Sequence, residues 1–239
     1  MRSSDASTLA GRVILVTRPR EQASGLARAI ERAGGRAEIF PAIEIQDLPP
    51  PPVLSRLAEF DLAIFVSPSA VARVMPRLGA LQPRAAAVGA GTRRELERYG
   101  VRDVITPSAG ADSEALLSEL DDVAGKRILI LRGEGGRALL GDTLRGRGAT
   151  VEYAECYRRV RPQATWRGRA DAITVSSAEG LANLFEMLDA ALLRQAPLFV
   201  PHERIAEAAR GRAVREVVVA GPSDEEMVAA LMAYFAVHG

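Results

Sequence analysis

The chain repeats itself once along its length. Gly11-Arg12-Val13-Ile14-Leu15-Val16-Thr17-Arg18 returns as Gly125-Lys126-Arg127-Ile128-Leu129-Ile130-Leu131-Arg132, 114 residues later (18 to 132) and without a gap. At the same offset Leu26 falls on Leu140, Ile30 on Leu144, Gly34 on Gly148 and Glu38 on Glu152. A second match, Asp61–Ser67 with Pro68 against Asp171–Ser177 with Ala178, follows at 110 residues (67 to 177), and Asp112-Ser113-Glu114 answers Asp224-Glu225-Glu226. Solenoid repeats have periods of roughly 20 to 50 residues. A period this long therefore predicts two similar domains, with a ligand site expected between them. The 239 residues divide into two pieces near the usual domain size of about 100–150 residues.

Short apolar runs at Val13–Val16, Leu62–Val66, Ala85–Val88, Ile128–Leu131, Ala172–Val175, Leu198–Val200 and Val217–Ala220 read as buried parallel strands. Helical patterns such as Gln22–Ala33 and Ala138–Gly146 lie between them, stopped by Gly34-Gly35 and by Gly146 to Gly148. Alternating strand and helix predicts an α/β fold with parallel sheets covered on both faces. The run Pro49 to Pro52 follows the alternating stretch Ile43–Leu48 and is expected to be an extended connector. Its counterpart in the second half is Tyr157–Pro162, so both halves leave their second strand along a polar path that ends in proline. Two such crossings predict a two-segment hinge.

Composition removes several function classes. Net charge is +1, which suggests neither nucleic acid nor a membrane surface as partner. Cys156 is the single cysteine and His202 and His238 the only histidines, so a thiolate metal cluster, a His-based metal site or a Ser-His-Asp triad is hard to assemble. Met1 to Ala10 is polar and no apolar run nears the roughly 18 residues of a membrane span; the chain reads as cytoplasmic. Lys126 is the only lysine among 31 cations. A GC-rich coding sequence explains that bias, although arginines facing a cleft would also clasp carboxylates in a bidentate way.

In open α/β sheets ligands bind at the carboxyl ends of the strands. Here those ends carry Thr17-Arg18-Pro19, Ser67-Pro68-Ser69, Gly89-Ala90-Gly91-Thr92, Arg132-Gly133-Glu134-Gly135-Gly136-Arg137, Ser176-Ser177 and Pro201-His202-Glu203-Arg204. Most precede helices, whose first turns offer free backbone N–H groups to anions. The expected ligand surface is thus main-chain donors with a few arginines, suited to a polycarboxylate. The serines read as hydrogen-bond donors or helix caps rather than nucleophiles, since no base is placed to activate them. His202 either caps the following helix or meets ligand. Tyr157 is either a strand tyrosine packed at an edge or a phenol pointing into the cleft as a proton donor; free phenols ionise only near pH ~10. Gly133 to Ala138 formally matches G-x-G-x-x-A, with Glu152 and Glu155 near the spacing of a ribose ligand, but the equivalent turn Pro19–Gln22 has no glycine.

Taken in order, these motifs resemble the uroporphyrinogen-III synthase family from about Arg12 to Leu231. Val16-Thr17-Arg18-Pro19 is similar to its opening V-T-R-P, Phe65–Val71 to F-T-S-x-x-A-V, and Ala87–Thr92 to A-V-G-x-x-T; Ser113-Glu114-x-Leu116, Leu131–Arg137 and Tyr157-Arg158 follow. The resemblance implies two flavodoxin-like lobes joined by a two-stranded connector: 1–41 with 162–239, and 48–154, with 42–47 and 155–161 connecting. It implies a cofactor-free, monomeric lyase of tetrapyrrole and heme biosynthesis. The substrate would be hydroxymethylbilane, a linear tetrapyrrole polycarboxylate, with possible transient contact with the deaminase that makes it. Tyr157 would assist loss of the substrate hydroxyl; Ser67, Thr92 and Ser177 would contact ligand. Thr17, Arg18, Ser69, Gly91, Arg132, Gly133, Ser176, His202 and Arg204 complete the expected substrate surface, with no metal. The family's G-P-T-type turn is replaced by Pro201-His202-Glu203-Arg204, where His202 or Arg204 would substitute for a threonine. Two other readings remain open: a two-lobed binding protein that closes on an anionic small molecule without chemistry, and a nucleotide-dependent enzyme using the Gly133–Ala138 turn.

Overall fold

A computed structural model describes residues 9–108, 110 and 112–238; the polar reading of the N-terminus falls on residues 1–8 and lies outside them, apart from Leu9 and Ala10. In chain order the elements are β1 (Val13–Val16), α1 (Arg20–Arg32), β2 (Arg36–Ile39) and β3 (Glu44–Asp47), then a 3₁₀ segment (Pro52–Glu59). There follow β4 (Leu62–Phe65), α2 (Pro68–Val74), β5 (Arg84–Ala87), α3 (Ala90–Arg98) and α4 (Ser113–Leu117). Next come β6 (Arg127–Gly133), α5 (Leu139–Gly146), β7 (Thr150–Val160), β8 (Ala172–Thr174), α6 (Ala178–Met187) and α7 (Ala190–Gln195). The chain ends with β9 (Leu198–Val200), α8 (Glu203–Arg210), β10 (Val217–Val219) and α9 (Asp224–His238).

These elements form two compact units, one from the chain up to Glu44 together with the chain from Val160, the other Ile45–Arg159. The first holds a sheet in the order β10-β9-β8-β1-β2, all parallel. Counted from its own first strand this is 2-1-3-4-5, the flavodoxin-like doubly wound order. The second sheet runs β3-β7-β6-β4-β5, and Ile105 adds a parallel bridge beside Ala86 on the outer strand β5. If β6 is counted as first strand, β7-β6-β4-β5-Ile105 is again 2-1-3-4-5. The duplication is therefore one winding used twice, with the chain entering the second copy at its third strand.

Both sheets bury both faces. Leu15 and Ile173 belong to one core cluster of the first unit while Ile14, Val16 and Ala172 belong to another. In the second unit Ala63, Phe65 and Leu129 point one way, Ile64, Ile128 and Ile130 the other. Alternate residues on opposite faces, all apolar, produce the uninterrupted Val/Ile/Leu runs expected of covered parallel strands.

Local devices recur at equivalent places. Asp171 Oδ2 accepts the Val13 N–H at 2.8 Å while the Asp171 N–H donates to the Val13 carbonyl at 2.7 Å. Asp61 and Arg127 repeat that pair at 2.8 and 2.9 Å. Gly34 and Gly148 follow α1 and α5 at φ 85° and 89°, the left-handed position that ends a helix with little strain only in glycine.

Two expectations need correction. Pro52 is not part of an extended connector: it opens the 3₁₀ segment, because a helix's first position needs no N–H and welcomes proline's fixed φ. Residues 155–161 are not separate from the second sheet either, although the passage between the units, at Arg159–Val160, falls within them. They continue β7, a single strand of 11 residues, since nothing between Ala154 and Glu155 interrupts pairing with β6. β3 lies beside β7: the Leu48 N–H donates to the Cys156 carbonyl at 3.3 Å and Arg158 Nε to Gln46 Oε1 at 3.1 Å. Those contacts run in opposite order along the two segments, so this pair is antiparallel.

Candidate functional site

The carboxyl edge of each sheet is where helices begin. In the Ile45–Arg159 unit, β4 leads into α2 through Ser67, whose Oγ accepts the Ala70 N–H at 3.1 Å. β5 leads through Gly89 into α3, and no side chain caps it. β6 runs into the turn Glu134–Arg137. In the other unit β8 leads into α6 through Ser177, whose Oγ accepts the Gly180 N–H at 3.0 Å. β9 leads through His202 into α8, again without a side-chain cap. Each unit thus presents helix first turns whose N–H groups have no partner in the helix, the arrangement that receives anions.

The most constrained part of either edge is Tyr157. In β7 the residues Val151 and Tyr153 face one core cluster and Ala154 and Cys156 the other. Strict alternation would send residue 157 with Val151 and Tyr153. A register shift intervenes: Arg132 pairs with Glu155 but Gly133 pairs with Tyr157. This bulge turns Tyr157 to the side of Ala154 and Cys156, as extra residues in a ladder do. The ring then lies against Gly133, where a Cβ would come within 2.7 Å of Tyr157 Cε2. The Arg73 guanidinium lies 5.8 Å from the ring centroid. The phenol oxygen is 2.9 Å from Ser67 Oγ, and Tyr157 as a whole is 1% exposed. Its phenol is buried, and Ser67, the partner of its hydroxyl, is half-buried.

Arg132 was expected on the substrate surface. Its two Nη atoms are engaged within its own unit, while Nε is buried without a hydrogen-bond partner among the described residues. Nη2 pairs with Glu155 at 3.0 Å, Nη1 donates to the carbonyls of Gly136 and Arg137 at 3.0 and 3.3 Å, and the guanidinium lies 3.8 Å from the centre of the Tyr153 ring. It shapes the turn from Gly133 to Arg137, in which Gly135 takes φ 68°. Glu152, the other acid near a ribose-ligand spacing, is engaged by Arg56 at 2.6 Å. Arg18 is similarly committed, to Asp224 at the start of α9. Thr17 is buried and donates to the Thr174 carbonyl at 2.6 Å, so it joins β1 to β8 instead of facing outward. Ser69 and Thr92 are buried in the first turns of α2 and α3, Thr92 on the same face as the core residue Leu96. Gly91 and Ser176 are exposed, Ser177 half-buried, and His202 and Arg204 are exposed at the start of α8; Gly133 is buried beneath the phenol.

Sequence reasoning overlooked Asp47, Arg73 and Asp224. Arg73 Nε donates to Asp47 at 2.7 Å and Nη1 to the Ser69 carbonyl at 3.3 Å, which pins the Tyr157-facing helix to β3. Only the proximity of β3 and α2 reveals that pairing. Cys156, beside Tyr157, donates to the Ala154 carbonyl at 3.2 Å, and burial pushes its thiol up to about 11, leaving it an inert packing residue. A concavity of about 710 Å³ lies at the opposite, amino edge of the same sheet, among Leu78, Leu81, Arg84, Tyr99 and Arg102. Among the described residues, no group of three or more His, Cys, Asp or Glu side chains is arranged to hold a metal ion, and no helix is long and apolar enough to cross a membrane.

Comparison with known proteins supplies the family. Residues 24–229 match the family model described as Uroporphyrinogen-III synthase HemD. The uroporphyrinogen-III synthase of Escherichia coli K12 is 35% identical over 241 residues, covering 89% of this chain and 96% of that protein. Among solved structures, uroporphyrinogen-III synthetase from Helicobacter pylori 26695 superposes with TM-score 0.67 at 14% identity over 93% of this chain and 99% of that one. A mutant uroporphyrinogen III synthase from the extreme thermophile Thermus thermophilus gives 0.62 at 20% over 95% and 98%. At those identities the two structures speak for the fold, α/β with two doubly wound units. The extended family match and the curated relative speak for descent: this chain belongs to the uroporphyrinogen-III synthase family.

Proposed function

We infer that this protein is a uroporphyrinogen-III synthase, which closes hydroxymethylbilane into the macrocycle with its last pyrrole ring inverted and with loss of water. The observation that carries the reading is the family match over residues 24–229, together with two carboxyl edges that offer helix first turns and hydroxyls. The substrate's acetate and propionate arms require anion binding at many points. Backbone N–H groups at the starts of α2, α3, α6 and α8, with the exposed Arg204, supply it.

Loss of the bilane hydroxyl leaves an azafulvene, which attacks the substituted carbon of the last pyrrole; the spiro intermediate fragments and recloses with that ring turned over. Without a protein the bilane closes to the uninverted isomer. The protein's task is therefore mostly to hold one folded conformer of a flexible substrate, a positional contribution. A proton delivered to the departing hydroxyl, for which Tyr157 is the source, accelerates the first step. The reaction needs no redox change and no group carrier, so we assign no cofactor. We also assign a monomer that works in the cytoplasm and takes its bilane from the deaminase through a transient contact.

The test is an isomer assay: generate hydroxymethylbilane in situ, add protein, oxidise and separate the uroporphyrins. Mostly type III product is expected; unchanged type I product from well-folded protein would sink the assignment and leave a non-catalytic binder of anions.

A further inference from the structure

We propose that Ser67, not Tyr157, is the group that touches the substrate's leaving hydroxyl, and that Tyr157 acts through it as the second member of a two-hydroxyl proton relay. The proposal rests on the synthase reading above and assigns its first chemical step to named atoms.

Burial decides the direction of the relay. Tyr157 is 1% exposed, and Ser67 Oγ, at 2.9 Å, is the one hydrogen-bond partner of its hydroxyl among the described residues. A buried donor must be satisfied, so the phenol proton points to Ser67. Ser67 Oγ also accepts the Ala70 N–H. A hydroxyl has two acceptor positions and one donor proton; with both acceptor positions filled from within, the serine proton is left over and directed outward. Ser67 is half-buried and sits where β4 gives way to α2, on the carboxyl edge. The phenol is held there by three features: the bulge beside Cys156, the missing side chain at Gly133 and the Arg73 guanidinium over its ring.

The duplication supplies an internal control. Ser177 is the repeat equivalent of Ser67 (177 − 110 = 67) and caps α6 as Ser67 caps α2. The repeat equivalent of Tyr157 is Ile43 (157 − 114 = 43). A Cβ at Gly180, the position matching Ala70, would lie 3.1 Å from Ser177 Oγ and 3.9 Å from Ile43 Cδ1. The capping serine is thus present in both units, but only the second places a phenol behind it. Capping alone does not call for the tyrosine.

In the step itself the C–O bond of the hydroxymethyl group breaks and its electron pair leaves with oxygen, while the pyrrole nitrogen lone pair stabilises the cation. The departing oxygen takes the Ser67 proton, Ser67 takes the Tyr157 proton, and water is released. The positive charge stays on the bilane through the spiro intermediate until final ring closure, when the proton lost from the unsubstituted α-carbon of the inverted pyrrole restores the phenol through the same pair.

Four variants test this while sparing the helix cap. Ser67→Thr keeps cap and relay and is expected to retain turnover within about threefold of the parent. Ser67→Asn keeps an oxygen acceptor for the Ala70 N–H but has no hydroxyl to pass a proton. It should lose about 100-fold in kcat with KM nearly unchanged, the low end of general-acid contributions. Tyr157→Phe should lose a similar factor, and Ser67→Asn combined with Tyr157→Phe should lose no more than the worse single variant, since the two hydroxyls form one unit. Full turnover in Ser67→Asn, or losses that multiply in the double variant, overturns the relay and returns Tyr157 to direct contact. Failure of the parent protein itself to form type III product overturns the synthase reading instead, so the two failures are distinguishable. Thermal melts of each variant confirm that the loss is not unfolding.

Discussion

Gly133 looked like the first glycine of a phosphate-binding turn, and the structure gives it a different reason to be small. Its Cα is the floor on which the Tyr157 ring lies, and any Cβ would fall 2.7 Å from Cε2 and 2.8 Å from Cζ. Contacts that close cannot persist, and a ring enclosed by Phe65, Ala70 and Leu131 has little room to yield. Gly133→Ala should therefore displace the phenol from Ser67. The expected outcome is a kcat reduced at least tenfold, and stability lowered by about 1–3 kcal/mol from overpacking. Turnover and urea unfolding measured on the same preparation check both halves; unchanged kcat would mean that the position of the phenol is not critical. Gly135 differs: its φ of 68° requires left-handed backbone and concerns the shape of the turn, not its neighbours.

Among the elements, the paired aspartates show how the two sheets start. Asp171 precedes β8 and binds the first amide of β1; Asp61 precedes β4 and binds the first amide of β6. Burial pushes the Asp171 carboxyl up, but the Val13 amide and the Arg169 guanidinium outweigh it and hold the group below the ordinary carboxylate range. A folded-state value below the unfolded one means stabilisation that is present above the unfolded value, near pH ~3.9, and lost as pH falls through the folded value. Asp171→Asn should accordingly cost about 1.5–3 kcal/mol at pH 7, the worth of a hydrogen bond to a charged group. That cost should shrink below about pH 4. Urea titrations at pH 7 and pH 3 measure the difference; an equal loss at both would show that the charge contributes nothing. The capping serines, the glycines after α1 and α5 and these aspartates all recur at the repeat offsets. For that reason the elements were readable in advance: each is specified by short-range patterns of period 2 or 3.6 and by punctuation residues. β2, β3 and β7 were not among the runs read as strands, since each interleaves charged with apolar residues, and the bulge in β7 leaves no mark in a string of residues.

At the scale of the molecule, each unit has its own pair of cores, one on either face of its sheet. The unit Ile45–Arg159 is also continuous in the chain, whereas the other is made from both ends. A fragment spanning Ile45–Arg159 should consequently fold by itself, with α/β circular dichroism and a cooperative urea transition, while the Val160–Gly239 fragment should not, lacking β1, which pairs with both β8 and β2 in its sheet. A disordered Ile45–Arg159 fragment would show that its cores need the rest of the chain. The α/β class, the duplicated winding, most strands, the capping role of Ser67 and Ser177 and the interest of Tyr157 were all available from residue order, because they depend on local periodicity, on self-similarity and on motif order. Which side chains are free to meet a ligand was not available. Thr17 and Arg18 sit in the expected loop yet are taken by Thr174 and Asp224; Arg132 is taken by Glu155 and two carbonyls. Those partners lie 23 to 206 residues apart where side chains pair, too far along the chain for residue order to reveal them. Only when the chain is closed on itself do such pairings form, and only then does the bulge bring the Tyr157 phenol to Ser67.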